Sequence, residues 1–592
     1  MPTPEPPHIP PAQQPQRPRP QHMADLPAPR SSGRQAAAGA DEPTLRLPAA
    51  ALDPPPPPVP PGTTRPTADC TEDAREMAKL PRPVQGPQRG PARTGNHFPA
   101  TRANQVIGYT TGRCCFNDIA AAIATATQPE HRIYIAGWWL QTDTWLRDQP
   151  PPPSTAPYLL SDFVKSTPAQ VRTLTWRPPL VFGDIPNNQP WIDFVNGLPH
   201  GAALGDGKLP GVTTLGQGKL RVGVHHQKIV VVVGYRGTIA FVGGMDLNNT
   251  RISNQGVEPL HDVHVRLAGP GAVQVLKTFQ ERWMDHAQAA ALEVSRFGAN
   301  PNAPFRTAFP DPAPLTDTRV PSGTLPAGTH PPDRVVRIGR TYADLRKFGD
   351  KPVYAFAPDG EYSALDMLID AIRQTRHTIY VEDQYLSSAI IRAELLKKLA
   401  DKNFQYLLIL MANSDAIKSS EFGYLRVFRN EYRRDLFALD PKQTRWGMYA
   451  LKDCPDATRR WFAGSYVHSK TWIFDDEYVL TGSANCTDRS YTFDSEIVAG
   501  ISESGFVPAG ADSFATALRI NLWHKHLGVP HSLVRDWRSG AKLWKKPPPS
   551  AMVYDDAQPE EDPLLGAKLP TDPAQERAVQ TGRLFYDPDG LH

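Results

Sequence analysis

The sequence has no apolar run long enough to cross a bilayer. Its longest, IVVVVG from Ile229 and YLLILMA from Tyr406, are strand-sized, whereas a spanning helix needs about 20 apolar residues. The opening stretch MPTPEPPHIPPAQQPQRPRP lacks the apolar centre of a secretory signal. The expectation is a soluble chain, cytoplasmic or exported by a signal-less route, that meets membranes only peripherally. Cysteine is scarce: Cys70, Cys114, Cys115, Cys454 and Cys486 are an odd, scattered set with neither a disulfide framework nor metal-type spacing. Net charge is also small. A formal +3 argues against a dedicated nucleic-acid binder, which carries a basic stripe or patch.

Proline is what abounds. Of 64 prolines, 26 fall in the first 100 residues, including Pro54 to Pro58. Residues 1–100 read as a disordered Pro-rich head, a spacer that a proline-recognising partner could also use. A Pro-rich linker, 291–345, separates two halves, 101–290 and 346–545; residues 546–592 form a C-terminal tail.

The two halves echo each other. FNDIAAAIATATQPEHRIYIAGWWL from Phe116 and YSALDMLIDAIRQTRHTIYVEDQYL from Tyr362 each give a helical apolar period, a polar joint and a strand led by Ile-Tyr. Each half then adds VRTLTW or QYLLILMA as a further strand. Helix–strand alternation predicts an α/β fold. The duplication predicts two similar lobes, each a mixed sheet flanked by helices, packed as a pseudo-twofold dimer with one active site between them. A monomer then suffices for a complete site.

Each half also reaches a hairpin with a His-x-Lys entry. HHQKIVVVVGYRGTIAFVGGMDLNN carries His226 and Lys228, then Gly243, Gly244 and Asp246. YVHSKTWIFDDEYVLTGSAN carries His468 and Lys470, then Asp475, Gly482, Ser483 and Asn485. Residues two apart on a strand share a face, so each His and Lys point the same way. Downstream, LHDVHVRL holds Asp262, and TFDSEIVAG holds Asp494 and Glu496.

These residues resemble the phospholipase D superfamily, whose pattern is His-x-Lys, four residues, Asp, six residues, Gly-Ser-x-Asn. The second copy fits throughout. In the first, Val233 stands where the family has Asp. IYIAGWW, IYVEDQYL and LRINLWHKHLG are similar to segments of the plant- and animal-like branch. The resemblance covers roughly 105–290 and 350–530, without the tails or the linker.

The resemblance implies a phosphodiesterase that turns glycerophospholipids into phosphatidic acid and free headgroup through a phosphohistidine, with an alcohol able to replace water. In that mechanism His226 attacks and His468 protonates the leaving group. Lys228, Lys470, Ser483, Asn485 and Asp246 (or Asn248) hold the phosphate; Asp262 and Glu496 orient the imidazoles across the halves. Asp475, Asp494, Gly482, Gly243 and Gly244 support the site. Such chemistry needs cations around the phosphate, a nucleophile and an acid, but no metal or other cofactor; calcium dependence is left open. The partner is a phospholipid surface. Alternatives are a superfamily nuclease, or a lipid-binding scaffold with a degenerate first motif.

Neighbouring residues carry plainer readings. His225, His261 and His264 read as structural, and Trp138 and Trp139 as packing. Glu382 and Asp383 read equally as site-mouth residues or strand caps. The Gly-rich stretch from Asn196 reads as a mobile surface loop, with a lid as the alternative.

Overall fold

The computed structural model describes residues 97–559, except 151–152, 179–185, 211–221, 252–259, 299–333, 349–352, 413–422, 453–465 and 504–511, together with 573–577 and 579. Nearly all of the Pro-rich head, and much of the linker and tail, lie outside the described residues.

Seven strands come from the first half: β1 (Thr101–Tyr109), β2 (Arg132–Gly137), β3 (Gln170–Trp176), β4 (Gly201–Asp206), β5 (Ile229–Gly234), β6 (Gly237–Gly243) and β7 (His264–Ala268). Eight follow: β8 (Arg334–Thr341), β9 (Thr378–Asp383), β10 (Tyr406–Met411), β11 (Trp446–Leu451), β12 (Thr471–Phe474), β13 (Tyr478–Gly482), β14 (Glu496–Glu503) and β15 (Val553–Asp555). They form one mixed sheet in the order β15-β11-β10-β9-β12-β13-β14-β8-β1-β7-β6-β5-β2-β3-β4. From the β8–β1 seam outward, each side runs through the same sequence of counterparts. The expected α/β class holds, with one continuous sheet in place of two separate ones. The seam itself is short, pairing Thr101 with Val336 and Asn104 with Arg334 across a register shift.

Apolar alternation builds three layers. In β5, Ile229, Val231 and Val233 feed one core, while Val230 and Val232 feed another on the opposite face. In β9, Tyr380 joins the first core and Ile379 and Val381 a third. Strands buried on both faces read as continuous apolar runs, which is why IVVVVG and YLLILM look as they do. The helices Pro270–Met284 and Phe514–Leu527 cover the shared face through Phe279, Trp283, Leu518 and Trp523. Gly112–Ile123 and Ser363–Gln374 cover the other face, one in each half. Each fully buried Val, Ile or Leu contributes roughly 1.5–3 kcal/mol.

Three stretches depart from the sequence reading. β8 lies inside the span assigned to the linker and pairs with β14 along its whole length; proline density had masked the alternation of RVVRIGRT. β15 lies inside the span assigned to the tail and pairs with β11. The Gly-rich stretch is not a loop throughout, because GAALGD forms β4, parallel to β3. Its glycines allow close approach: a Cβ on Gly201 would sit 2.1 Å from the carbonyl oxygen of Val195. Cys115 and Cys486 are buried free thiols, whereas Cys114 is disulfide-bonded, a pairing that the scattered spacing did not announce.

Candidate active site

His226 and His468 sit just before β5 and β12, and each is pinned by the other half of the chain. Two isolated bridges do this, His225 with Ser495 and His261 with Val467. His226 N donates to Ser495 O at 3.0 Å, and Ser495 N to Val224 O at 3.0 Å; His468 N donates to His261 O at 2.7 Å, and His261 N to Tyr466 O at 3.0 Å. The residue after each bridging residue is a carboxylate. Glu496 Oε1 lies 2.9 Å from His226 Nδ1. Asp262 Oδ2 lies 2.8 Å from His468 Nδ1. Both carboxylates are buried, and the imidazoles are only 14% and 11% exposed. A carboxylate acceptor fixes Nδ1 as the protonated nitrogen and leaves Nε2 for chemistry.

The lysines are held differently. Lys228 Nζ donates to His226 O at 3.0 Å and pairs with Asp246 Oδ2 at 3.2 Å. Lys470 Nζ donates to Gln384 Oε1 at 2.9 Å and to the carbonyl of His468. Asn485, at the position matching Asp246, keeps its buried Oδ1 without a hydrogen-bond partner.

Burial dominates the electrostatics. It holds both imidazoles well below the usual histidine range, helped at His226 by Lys228 and Lys470 and at His468 by Arg251 and Lys470. It lifts Glu496 to about 7 against the pull of Lys228, and Asp262 to about 6 against Lys470 and Arg251. Burial also lowers Lys470. Burial works to raise Asp246 too, but Lys228, Arg251, His226 and the Trp139 N–H together outweigh it and keep that carboxyl low. These surroundings therefore favour uncharged imidazoles, and a nearby anion favours the charged form.

Several expected roles change. Asp246 is no free phosphate ligand: its Oδ1 accepts from the backbone N–H groups of Trp138 and Trp139 at 2.8 and 3.2 Å while Oδ2 faces Lys228. Asn248 turns to Thr250. Ser483 Oγ donates to Glu496 instead of facing the opening. Asp383 caps a strand end, accepting from Tyr385, Leu386 and Cys486 N–H groups at 2.9, 2.9 and 2.7 Å. Asp494 braces the approach to His226, accepting from Val224 N at 2.9 Å and pairing with Arg489. Gly243 and Gly244 are needed for space: a Cβ would meet His264 Nδ1 at 2.4 Å or Asp262 Oδ1 at 2.0 Å. On Gly482 it would meet Ile497 O at 2.2 Å. Trp138 stacks on Trp176, with ring centroids 6.2 Å apart.

Asp475 and Val233 explain each other. Asp475 has φ +53°, and its carboxylate accepts from Arg376, His377 and Thr378 N–H groups at 2.7, 2.7 and 2.8 Å. It secures the entry to β9, at the far end of β12 from Lys470. In the first half the same entry is secured otherwise: His131 Nδ1 accepts from Thr127 and Gln128 N–H groups at 3.0 and 3.2 Å. Val233 is therefore free to join the core.

The sequence reading missed two features. Arg251 approaches both Asp262 and His468; nothing in its spacing marks it. The other feature is a buried cluster behind His468. Glu382 bonds His261 Nε2 at 2.8 Å and His526 Nε2 at 2.9 Å. These three residues are the one metal-like grouping among the described residues, with ligand atoms within 4.8 Å of one another. They do not fit a metal. Lys525 Nζ donates to Thr110 O and approaches His261 Nδ1 at 3.0 Å, which fixes that nitrogen as an acceptor and the proton on Nε2. His225 is structural, held by Asp206 at 2.7 Å with Arg282 on the same carboxylate. Met245 N donates to His264 Nδ1 at 3.3 Å. Among the described residues, no helix is long and apolar enough to cross a membrane.

The chain is similar to several known proteins. The cardiolipin synthase, phospholipase D-like domain family model matches residues 368–517. Phospholipase D beta 1 of Arabidopsis thaliana is 26% identical over 54% of this chain and 40% of its own length. Phospholipase D alpha 1 of Oryza sativa subsp. japonica is 25% identical over 70% of this chain and 63% of its own. The matched stretch thus spans less than two thirds of either plant protein. The crystal structure of phosphatidylserine synthase from Haemophilus influenzae Rd KW20 aligns with a TM-score of 0.48 at 11% identity, covering 87% of this chain and 99% of that one.

Proposed function

We propose, on the premise that this chain belongs to the phospholipase D superfamily, that it hydrolyses glycerophospholipids to phosphatidic acid and a free headgroup. The observation that carries the reading is the crossed pairing: each His-x-Lys imidazole bonds a carboxylate from the opposite half. Two lobes related by a pseudo-twofold axis, sharing one site, would account for that pairing and for the repeated strand order.

The phosphodiester enters between Lys228 and Lys470, with Asn485 completing its polar surround. Its charge favours the imidazolium of His468, which burial and the nearby cations disfavour. His226 Nε2 attacks phosphorus; the N–P bond forms as the P–O bond to the headgroup breaks. His468 gives its Nε2 proton to the departing oxygen. Water, or a primary alcohol, then attacks, returning a proton to His468 as the N–P bond breaks. The chain's own residues supply charge, nucleophile and acid, and we assign no metal or cofactor to the reaction. The substrate lies at a membrane surface that the protein meets peripherally, one chain making a complete site. The Pro-rich head serves as a spacer that a proline-recognising partner could also use.

The test is a liposome assay with mixed phospholipids and a primary alcohol, read by lipid mass spectrometry, beside His226→Ala and His468→Ala. Phosphatidic acid plus phosphatidyl-alcohol, lost in both variants, is expected. Wild-type turnover retained in either variant overturns the mechanism. Cleavage of nucleic acid alone would replace the lipid with a nuclease substrate.

A further inference from the structure

The carboxylates serving the two imidazoles are held by unlike residues at matching positions. Eight residues beyond Gly243 is Arg251, and eight beyond Gly482 is Ser490. Arg251 Nε lies 3.3 Å from Asp262 Oδ2. Its Nη2 lies 3.3 Å from Nε2 and 3.5 Å from Nδ1 of His468. An in-plane atom so nearly equidistant from both ring nitrogens would collide with the carbon between them. The guanidinium nitrogen therefore lies over the ring face. Ser490 hydrogen-bonds Glu496, beside the Ser483 hydroxyl. Asp262 has a guanidinium in direct contact; Glu496 has two hydroxyls in direct contact, with the charge of Lys228 acting on it from farther off. All of these residues are buried.

We propose that Arg251 is a positioning residue that lets His468 release its proton, by offsetting Asp262 and setting a cation against the imidazole face. This rests on the reading above, in which His468 protonates the leaving group. An imidazolium 2.8 Å from an unopposed buried carboxylate would hold its proton too tightly to serve as an acid near neutral pH. Arg251 weakens that hold. The Nε2–H bond then breaks as the departing headgroup oxygen, taking the P–O electron pair, gains the hydrogen.

Other charged or titratable groups face His468. Lys470 stands on its own strand, and Lys228 and His226 on the opposite hairpin. The Tyr466 ring lies 6.5 Å away. Both lysines also act on His226; Lys470 Nζ lies 3.1 Å from Nδ1 of His468 as well, but neither lysine bonds Nε2, the nitrogen that delivers the proton. Arg251 approaches that nitrogen at 3.3 Å.

The test labels the full-length protein with diethyl pyrocarbonate between about pH 3 and pH 9 and follows each histidine by peptide mass spectrometry. Only the neutral imidazole reacts, so the rates give a midpoint for each ring without any substrate. In the wild type the His468 midpoint is expected below that of His226. Arg251→Gln should raise the His468 midpoint by about one pH unit or more and leave His226 unmoved, with Arg251→Lys close to wild type. In turnover, the alkaline limb of kcat/KM should move upward in Arg251→Gln. An unmoved His468 midpoint, or equal movement of both rings, overturns the proposal. If Arg251→Gln does not fold, the wild-type order decides, and a His226 midpoint at or below that of His468 overturns it. A wild type that cleaves no phosphodiester defeats the functional reading instead, and the midpoints still judge Arg251.

Discussion

His226 Nδ1 stands 2.9 Å from Oε1 of Glu496, 270 residues away along the chain, and among the described residues no carboxylate of its own half takes that place. The bond has two effects: it orients the ring and it buries a charge. Glu496→Gln separates them. Turnover should fall at least about 100-fold, as when a triad carboxylate is neutralised. Stability should move the other way. The folded carboxyl is raised from 4.5 to about 7, so the fold keeps a proton that the unfolded chain releases, and wild-type stability declines as pH rises through that window. Thermal unfolding of variant and wild type should coincide near pH 4.5. By pH 8 the variant should be the more stable, by on the order of 2 kcal/mol.

The first hairpin needs no restored aspartate. Val233→Asp places a carboxylate in a packed core and should destabilise by more than about 2 kcal/mol without raising turnover. Asp475→Ala frees three backbone N–H groups and should cost roughly 1–3 kcal/mol. Its turnover, measured well below the unfolding temperature, should stay within about tenfold of wild type, because Asp475 lies at the far end of β12 from Lys470. Denaturant unfolding and kcat on the same preparations check both.

Gly244 is required by contact, not by backbone conformation. An added methyl would press on Asp262 Oδ1 at 2.0 Å and push the carboxylate off His468. Gly244→Ala should lower kcat by about 100-fold or more with little change in KM. Equal loss in a Gly207→Ala control, where a Cβ meets nothing within 4 Å, would count against that cause.

Glu382 anchors the loop that carries Asp262. Burial raises its pKa, but bonds from His261 and His526 outweigh this and keep it well below the usual carboxylate range. Its stabilisation is therefore present above that range and lost as pH falls through the depressed value. Glu382→Ala should destabilise by about 3 kcal/mol at pH 7, with the deficit shrinking in acid. Zinc should not raise the Tm of the wild type, whereas a true His-Glu-His site would do so by mass action.

Much of this was legible in the sequence because strands buried on both faces leave plain apolar runs, and because the second His-x-Lys copy has fixed spacing. IVVVVG, YLLILM and the two Ile-Tyr strands all took their expected places. Long-range geometry was less legible. Ser483 and Asp246 follow the phosphate-binding pattern, but their side chains turn to Glu496 and Lys228 because those partners arrive from other strands. Arg251 carries no spacing signal, since its meaning depends on His468, 217 residues away. β8 was hidden by its proline-rich surroundings, although RVVRIGRT alternates once its neighbours are set aside.

The crossed pairing of histidines and carboxylates also sets a clock. A chain leaving the ribosome exposes both His-x-Lys pairs before residue 496 has been made. Until that residue emerges and finds His226, the nucleophile lacks its orienting acid. A product cut short before β14 would hold every lysine and histidine of the site and still be unable to position one of its two imidazoles. Under the proposed mechanism the second half must therefore be made through β14 before the site is complete.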